Sequence, residues 1–246
     1  MKALTLFANV GIDEYYLDTI GIEVVVANEL LKDRADFYKK VYPKANMICG
    51  DITDKKIYSN ILEAAKGVDL IIATPPCQGM SIAHAKRADK DDPRNFLIKK
   101  VVSLINDLEP KHVLIENVRG MAKTFIKDDK GDPVNIMDYI KNNIPKSYNI
   151  KTKVLNSADY NTPQNRHRLI TLISKSKDWE YPKPISPQQT VRNAIGHLPS
   201  IESGETTDIP WHSGRKHNAN HILWMKNTAT DRKSSCGKEC RSRWAP

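Results

Sequence analysis

Long apolar runs are absent from this 246-residue chain, and no stretch approaches the roughly 18–20 residues a membrane helix needs. The opening, Met1-Lys2 followed by Ala3 to Ala8, is too short for a signal-peptide core and meets Asp13 and Glu14 almost at once. Both features lead to the expectation of a cytosolic protein without a membrane partner. Cysteine is scarce: Cys49, Cys77, Cys236 and Cys240 are the only four, too few for a disulfide scaffold. Each is therefore an apolar filler or a reactive thiol. Internal repeats and low-complexity tracts are lacking as well.

What remains is an ordinary globular composition. Hydrophobic residues make up 40% of the chain, enough for a core, and charged residues 27%. Basic residues outnumber acidic ones by 38 to 29, a formal charge of +9 that suits a polyanionic partner. Mild basicity alone does not identify one.

Short β-branched runs alternate with amphipathic stretches. The runs at 3–8, 23–27, 46–49, 69–74, 112–116, 150–155 and 169–174 are expected strands. Helices are expected at 13–20, 32–41, 57–66, 95–108 and 134–143. Leu97, Val101, Leu104, Ile105 and Leu108 recur at helical spacing. Runs such as Asp-Leu-Ile-Ile-Ala-Thr are apolar without alternation, as in strands covered on both faces. The pattern predicts an α/β fold with a doubly wound, mostly parallel sheet, whose ligands bind at the carboxyl ends of the strands. Beyond Tyr181 prolines interrupt regular structure, one short helix is expected at 191–197, and the chain past Pro199 is polar and aperiodic.

The unusual polar residues fall at predicted strand ends. The first strand runs into Phe7-Ala8-Asn9-Val10-Gly11, a small-residue turn that lets a cofactor approach the backbone. Glu29 ends the second strand about 20 residues on, where an acid commonly holds ribose hydroxyls. Asp51 ends the third. Taken alone, either acid also admits the lesser reading of a helix cap. The fourth strand ends in Thr74-Pro75-Pro76-Cys77-Gln78-Gly79, and a thiol directly after Pro-Pro in a polar turn is poorly explained as core filler. The fifth ends in Glu116, placed to exchange a proton near that thiol. Arg166 and Arg168 share one face of an extended segment and suit a phosphate, or a carboxylate and a base oxygen. By itself this pair reads as a solvated basic loop.

Together these residues resemble a family, the bacterial cytosine-specific C5 DNA methyltransferases of restriction–modification systems. The resemblance covers residues 1 to about 200. It rests on Phe7 to Gly11, Asn28-Glu29, Gly50-Asp51-Ile52, Pro75 to Ser81, Asp92 to Leu97, Glu116-Asn117-Val118, Gln164 to Arg168 and Thr190 to Pro199. It implies a Rossmann-like catalytic domain at 1–180, a connection toward a recognition region at 181–228, and a basic tail at 229–246 without a family counterpart. It implies S-adenosyl-L-methionine as cofactor. Phe7 would pack on its adenine, Glu29 would bind the ribose, and Asp51 and Ile52 the base; Gly11 belongs to the turn, and Pro75 and Leu97 line the pocket. Cys77 is the implied nucleophile toward cytosine C6. Glu116 would bond N3 and the exocyclic amine, Arg168 the base oxygen, and Arg166 the loop or a phosphate. Residues 79–94 resemble the loop that closes over a flipped base. Double-stranded DNA is the implied substrate, and the cognate endonuclease belongs to the same system without necessarily binding.

The pattern departs from the family in two places. Asn9 replaces the usual glycine, which puts the geometry of the cofactor turn in question. The closing segment that follows the recognition region in the family is not found, so the reading stays open between a catalytic chain completed by a second polypeptide, an inactive truncated form, and a non-catalytic nucleic-acid-binding module. A transfer-RNA cytosine methyltransferase uses the same chemistry. No metal site is expected, because Cys236 and Cys240 have no second ligand pair at suitable spacing.

Overall fold

The computed structural model describes residues 1–76, 93–177 and 179–227. Cys77, most of the loop expected to close over the base, and the tail with Cys236 and Cys240 lie outside these residues. Among the described residues no helix is long and apolar enough to cross a membrane.

The elements of the first unit, Met1–Thr190, are β1 (Lys2–Leu6), β2 (Glu23–Glu29), α1 (Lys32–Val41), β3 (Asn46–Cys49), α2 (Lys55–Ala64), β4 (Leu70–Ala73), α3 (Leu97–Leu108), β5 (His112–Asn117), β6 (Phe125–Lys127), β7 (Pro133–Asn135), α4 (Ile136–Asn143), β8 (Asn149–Asn156) and β9 (His167–Ser174). Seven strands form one sheet in the order β3-β2-β1-β4-β5-β9-β8. The first five are parallel, and β9 runs antiparallel to both β5 and β8. The order reverses direction at β1 and β4, which places a crevice beyond their carboxyl ends. Because β9 is reversed, its amino end arrives at that same edge.

The continuous apolar strands are buried as their composition demands. Leu4, Leu6, Ile71, Ala73, Val113 and Ile115 are all enclosed in the main core, against Val101, Leu104 and Ile105 of α3. Leu97 and Leu108 pack at its margin. Helix α2 starts at Asp54, whose Oδ1 accepts from the amides of Lys56 and Ile57.

Two expectations are corrected. Residues 13–20 do not form an α-helix; they form turns and a 3-10 turn at Asp18–Ile20, ended by Gly21 at φ +76°. A helix this short depends on burying one face, and Ile12, Tyr15, Tyr16 and Ile20 are instead 65–76% exposed. Val134 and Asn135, expected to open a helix, instead belong to a strand, 133–135, that pairs with 125–127 in a two-stranded hairpin. Asn135 then caps α4 through Oδ1 and the Met137 amide.

A second compact unit begins at Val191. It contains α5 (Val191–Ile195) and α6 (Ala219–Lys226), with an isolated bridge between Thr206 and Ser213. Asn218 caps α6 by accepting from the His221 amide.

Candidate functional site

The turn after β1 is built on left-handed backbone. Phe7, Asn9 and Gly11 have φ of +62°, +50° and +83°. Such conformations are rare for a bulky residue and cluster at functional sites. Asparagine tolerates this region better than other side chains, so the turn whose geometry Asn9 puts in question keeps a conformation that glycine would also take. The Asn9 amide donates to Glu29 Oε2 at 2.9 Å, and the Leu31 amide donates to Glu29 Oε1 at 2.9 Å. Glu29 is buried. It therefore ties the first turn to the start of α1, as a strand-end cap would, while each oxygen keeps a lone pair for a ligand hydroxyl.

Gly11 sits against α1. A Cβ there would lie 2.2 Å from Tyr42 Cε2 and 3.0 Å from Tyr38 Cε2. The Tyr42 hydroxyl donates to the Gly11 carbonyl. The third strand end is fixed by a residue whose role the sequence reading did not assign. Asn28 is buried, and its Nδ2 donates to the carbonyls of Ile48 and Gly50 at 2.9 and 3.1 Å. Asp51 follows at the surface, with Oδ1 accepting from the amide and hydroxyl of Thr53. Ile52 is buried in the core.

Pro75, at the end of β4, is buried. Its carbonyl accepts from Asn117 Nδ2 at 2.9 Å, and Asn117 Oδ1 accepts from the Val118 amide at 2.8 Å. Asn117 is thus a second positioning side chain that only the Glu116-Asn117-Val118 motif hinted at. It locks the end of β5 to the segment that leads into Cys77. Leu97 begins α3, half-buried at the margin of the core.

Glu116 stands opposite Ile170 in the β5–β9 register, so Arg168 is its diagonal neighbour. Arg168 Nε lies 2.7 Å from Glu116 Oε1, with both side chains about three-quarters buried. Arg168 Nη1 also donates to the His167 carbonyl at 2.9 Å. Burial pushes the Glu116 carboxyl above its ordinary range; the Arg168 guanidinium opposes that, Asp13 adds to it, and Arg166 opposes it less strongly. Arg166 is exposed. Its charge also acts on Asp13, whose carboxyl burial raises. The backbone of this loop is held by Ser157, whose amide donates to the Arg166 carbonyl at 3.0 Å.

The structure thus brings Phe7, Gly11 and Glu29 into one turn cluster and Glu116 and Arg168 into one ion pair, both along the carboxyl edge of the parallel strands. No group of three or more potential metal ligands exists among the described residues. An aromatic in the first turn, a buried carboxylate at the second strand end and an exposed one near the third match the parts of a nucleoside-bearing cofactor.

The C-5 cytosine-specific DNA methylase profile matches residues 1–244. The Type II methyltransferase M1.HgaI of Avibacterium volantium is 42% identical over 237 residues, covering 94% of this chain and 66% of that protein. The Type II methyltransferase M1.HphI of Haemophilus parahaemolyticus is 30% identical over 228 residues, covering 90% of this chain and 59% of that protein. This chain therefore spans less than two thirds of either relative. A crystal structure of a candidate DNA modification methyltransferase encoded within a prophage (E. coli) shares the fold at a TM-score of 0.63 and 24% identity, covering 83% of this chain and 57% of that one. The strand-end chemistry and these similarities have one common explanation: the chain belongs to the C-5 cytosine-specific DNA methylase family.

Proposed function

We propose that this chain carries the catalytic machinery of a DNA (cytosine-5-)-methyltransferase of a restriction–modification system. The observation that carries the reading is the Glu116–Arg168 pair at the strand edge, beside the Pro75 carbonyl that Asn117 holds just before Cys77. S-adenosyl-L-methionine, which the family implies, would be held by the Phe7–Gly11 turn, Glu29, Asp51, Ile52, Pro75 and Leu97. When bound it supplies an electrophilic methyl group for cytosine C5. The chain's own residues make that carbon reactive. The Cys77 thiolate adds to C6, its electron pair forming the S–C bond, while the ring π electrons move toward C5 and N3. Glu116, with its raised proton affinity, donates a proton to N3. Arg168 fixes Glu116 and faces the base oxygen, and Arg166 orients the loop or meets phosphate. Removal of the C5 proton by a base then expels the Cys77 thiolate and restores the ring. The target is unreachable inside a duplex, so the base is flipped out of double-stranded DNA.

A second polypeptide fits the same reading. Ile12, Tyr15, Tyr16 and Ile20 form a largely exposed apolar stretch next to the cofactor turn, and surfaces of this kind commonly bind a partner. We propose that a further segment or chain covers them and completes DNA recognition.

The test is covalent trapping on duplex DNA containing 5-fluorocytosine, whose C5 fluorine cannot leave as a proton. A denaturation-resistant adduct that requires S-adenosyl-L-methionine and is lost in Cys77→Ser supports the reading. An adduct formed only with an added second chain supports the completed form. No adduct under either condition, in folded protein, overturns catalysis.

A further inference from the structure

Glu14 is a buried ionisable group that the reaction does not use. It lies three residues past Gly11, and its side chain is enclosed. Its Oε2, the Thr5 hydroxyl on β1 and the Tyr38 hydroxyl on α1 are all buried with no hydrogen-bond partner among the described residues. All three interact electrostatically with one another. The ionisable groups facing Glu14 are Asp13 on its own segment, Tyr38 on α1 and Tyr42 just past its end; Thr5 contributes a hydroxyl and no charge. None is a cation, so only the hydroxyls of Thr5 and Tyr38 and the local backbone offset a negative charge there. Burial, reinforced by Asp13, pushes the carboxyl up to about 7, although Thr5 and Tyr38 oppose the shift.

Tyr38 connects this group to the cofactor turn. Its ring lies against Gly11, with Cε2 at 3.0 Å from where a Cβ would stand, and its centroid is 4.8 Å from that of Tyr42. Tyr42 in turn holds the Gly11 carbonyl. A charge appearing on Glu14 therefore acts on the same two rings that seat the turn.

We propose that Glu14 is a positioning residue for the cofactor turn, whose uncharged carboxyl, enclosed with Thr5 and Tyr38, keeps Phe7–Gly11 seated on α1 and whose ionisation unseats it. This rests on the reading of that turn as a cofactor site. Below neutrality the carboxyl is uncharged and the turn is seated. Above neutrality it ionises, and cofactor affinity falls.

The experiment measures equilibrium binding of S-adenosylhomocysteine to the full chain by calorimetry between about pH 5.5 and about pH 8. The dissociation constant of the native chain is expected to rise roughly fivefold across this range, which corresponds to about one unit of linked pKa shift. Glu14→Gln, which cannot ionise, is expected to bind with the low-pH affinity throughout. Thr5→Val and Tyr38→Phe each remove a hydroxyl that favours the charged form, and are expected to move the midpoint to higher pH. The latter two variants keep the test open if Glu14→Gln fails to fold. A native profile that is flat, or a Glu14→Gln profile that still falls, overturns the inference while leaving the cofactor reading intact. No binding at any pH overturns the cofactor reading itself, and the inference with it.

Discussion

Arg168 Nε approaches Glu116 Oε1 to 2.7 Å across an antiparallel strand pair, in a setting where burial alone would drive the carboxyl toward its protonated form. The guanidinium moderates that drive and fixes the carboxyl at the strand edge. Methyl transfer is expected to fall as pH rises, because the proton held by Glu116 is then lost. Removing Arg168 removes the largest influence that lowers the Glu116 pKa, so Arg168→Gln should shift the falling limb to higher pH while lowering its height. Arg166→Gln should shift it the same way by less. Glu116→Gln should lose roughly a hundredfold or more in rate, the scale of one general acid. Single-turnover profiles of the three variants check this; a limb that stays at one pH in Arg168→Gln refutes the assignment to Glu116.

Asn117 bridges the end of β5 to the Pro75 carbonyl from a buried position. Truncation leaves that carbonyl and the Val118 amide without their partner. Asn117→Ala is expected to lose about 1–3 kcal/mol of stability. The more telling effect is local: adduct formation should slow by a larger factor than S-adenosylhomocysteine affinity falls, because the bridge holds the Pro75 carbonyl two residues before Cys77 in the chain. Equal losses in both would place Asn117 in the general scaffold instead.

The parallel strands are legible because strands covered on both faces are written as unbroken apolar runs, as around Leu4, Ile71 and Val113, whereas β8, antiparallel and half-exposed, is marked only by its β-branched residues. The turn segment at 13–20 was not legible. Its spacing suits a helix, but nothing on the described surface takes up Tyr15, Tyr16 and Ile20. The three-residue strands of the 125–135 hairpin are too short to carry a period. Within the site, the acids at strand ends were visible as motif positions. The amide bridges of Asn28 and Asn117 were not, since they join carbonyls brought close only by the sheet.

Gly11 meets two constraints at once, a φ of +83° and Tyr42 carbon 2.2 Å from the position of any Cβ. Gly11→Ala is expected to displace the turn and weaken S-adenosylhomocysteine binding at least tenfold, about 1.4 kcal/mol. Tyr42→Phe keeps the ring and removes only the bond to the Gly11 carbonyl, so it should lose about 1 kcal/mol. Calorimetric binding of both variants orders the two effects; a larger loss in Tyr42→Phe would mean that the hydroxyl, and not the space, seats the turn.

Asn9 is the position where the chain departs from the glycine expected in the family turn. Its φ of +50° is one that glycine adopts freely and asparagine tolerates. Its amide, not its side chain, contacts Glu29. Asn9→Gly preserves both features and is expected to change cofactor affinity less than about twofold, the glycine losing only some chain entropy on folding. Asn9→Val keeps the amide but places a β-branched side chain in left-handed backbone, which costs about 1–2 kcal/mol or more. The turn would then relax toward negative φ and withdraw the amide from Glu29, so cofactor affinity should fall about tenfold or more. Binding measured on the two variants separates conformation from side-chain chemistry. If Asn9→Gly fails as badly as Asn9→Val, the asparagine side chain itself takes part in the site.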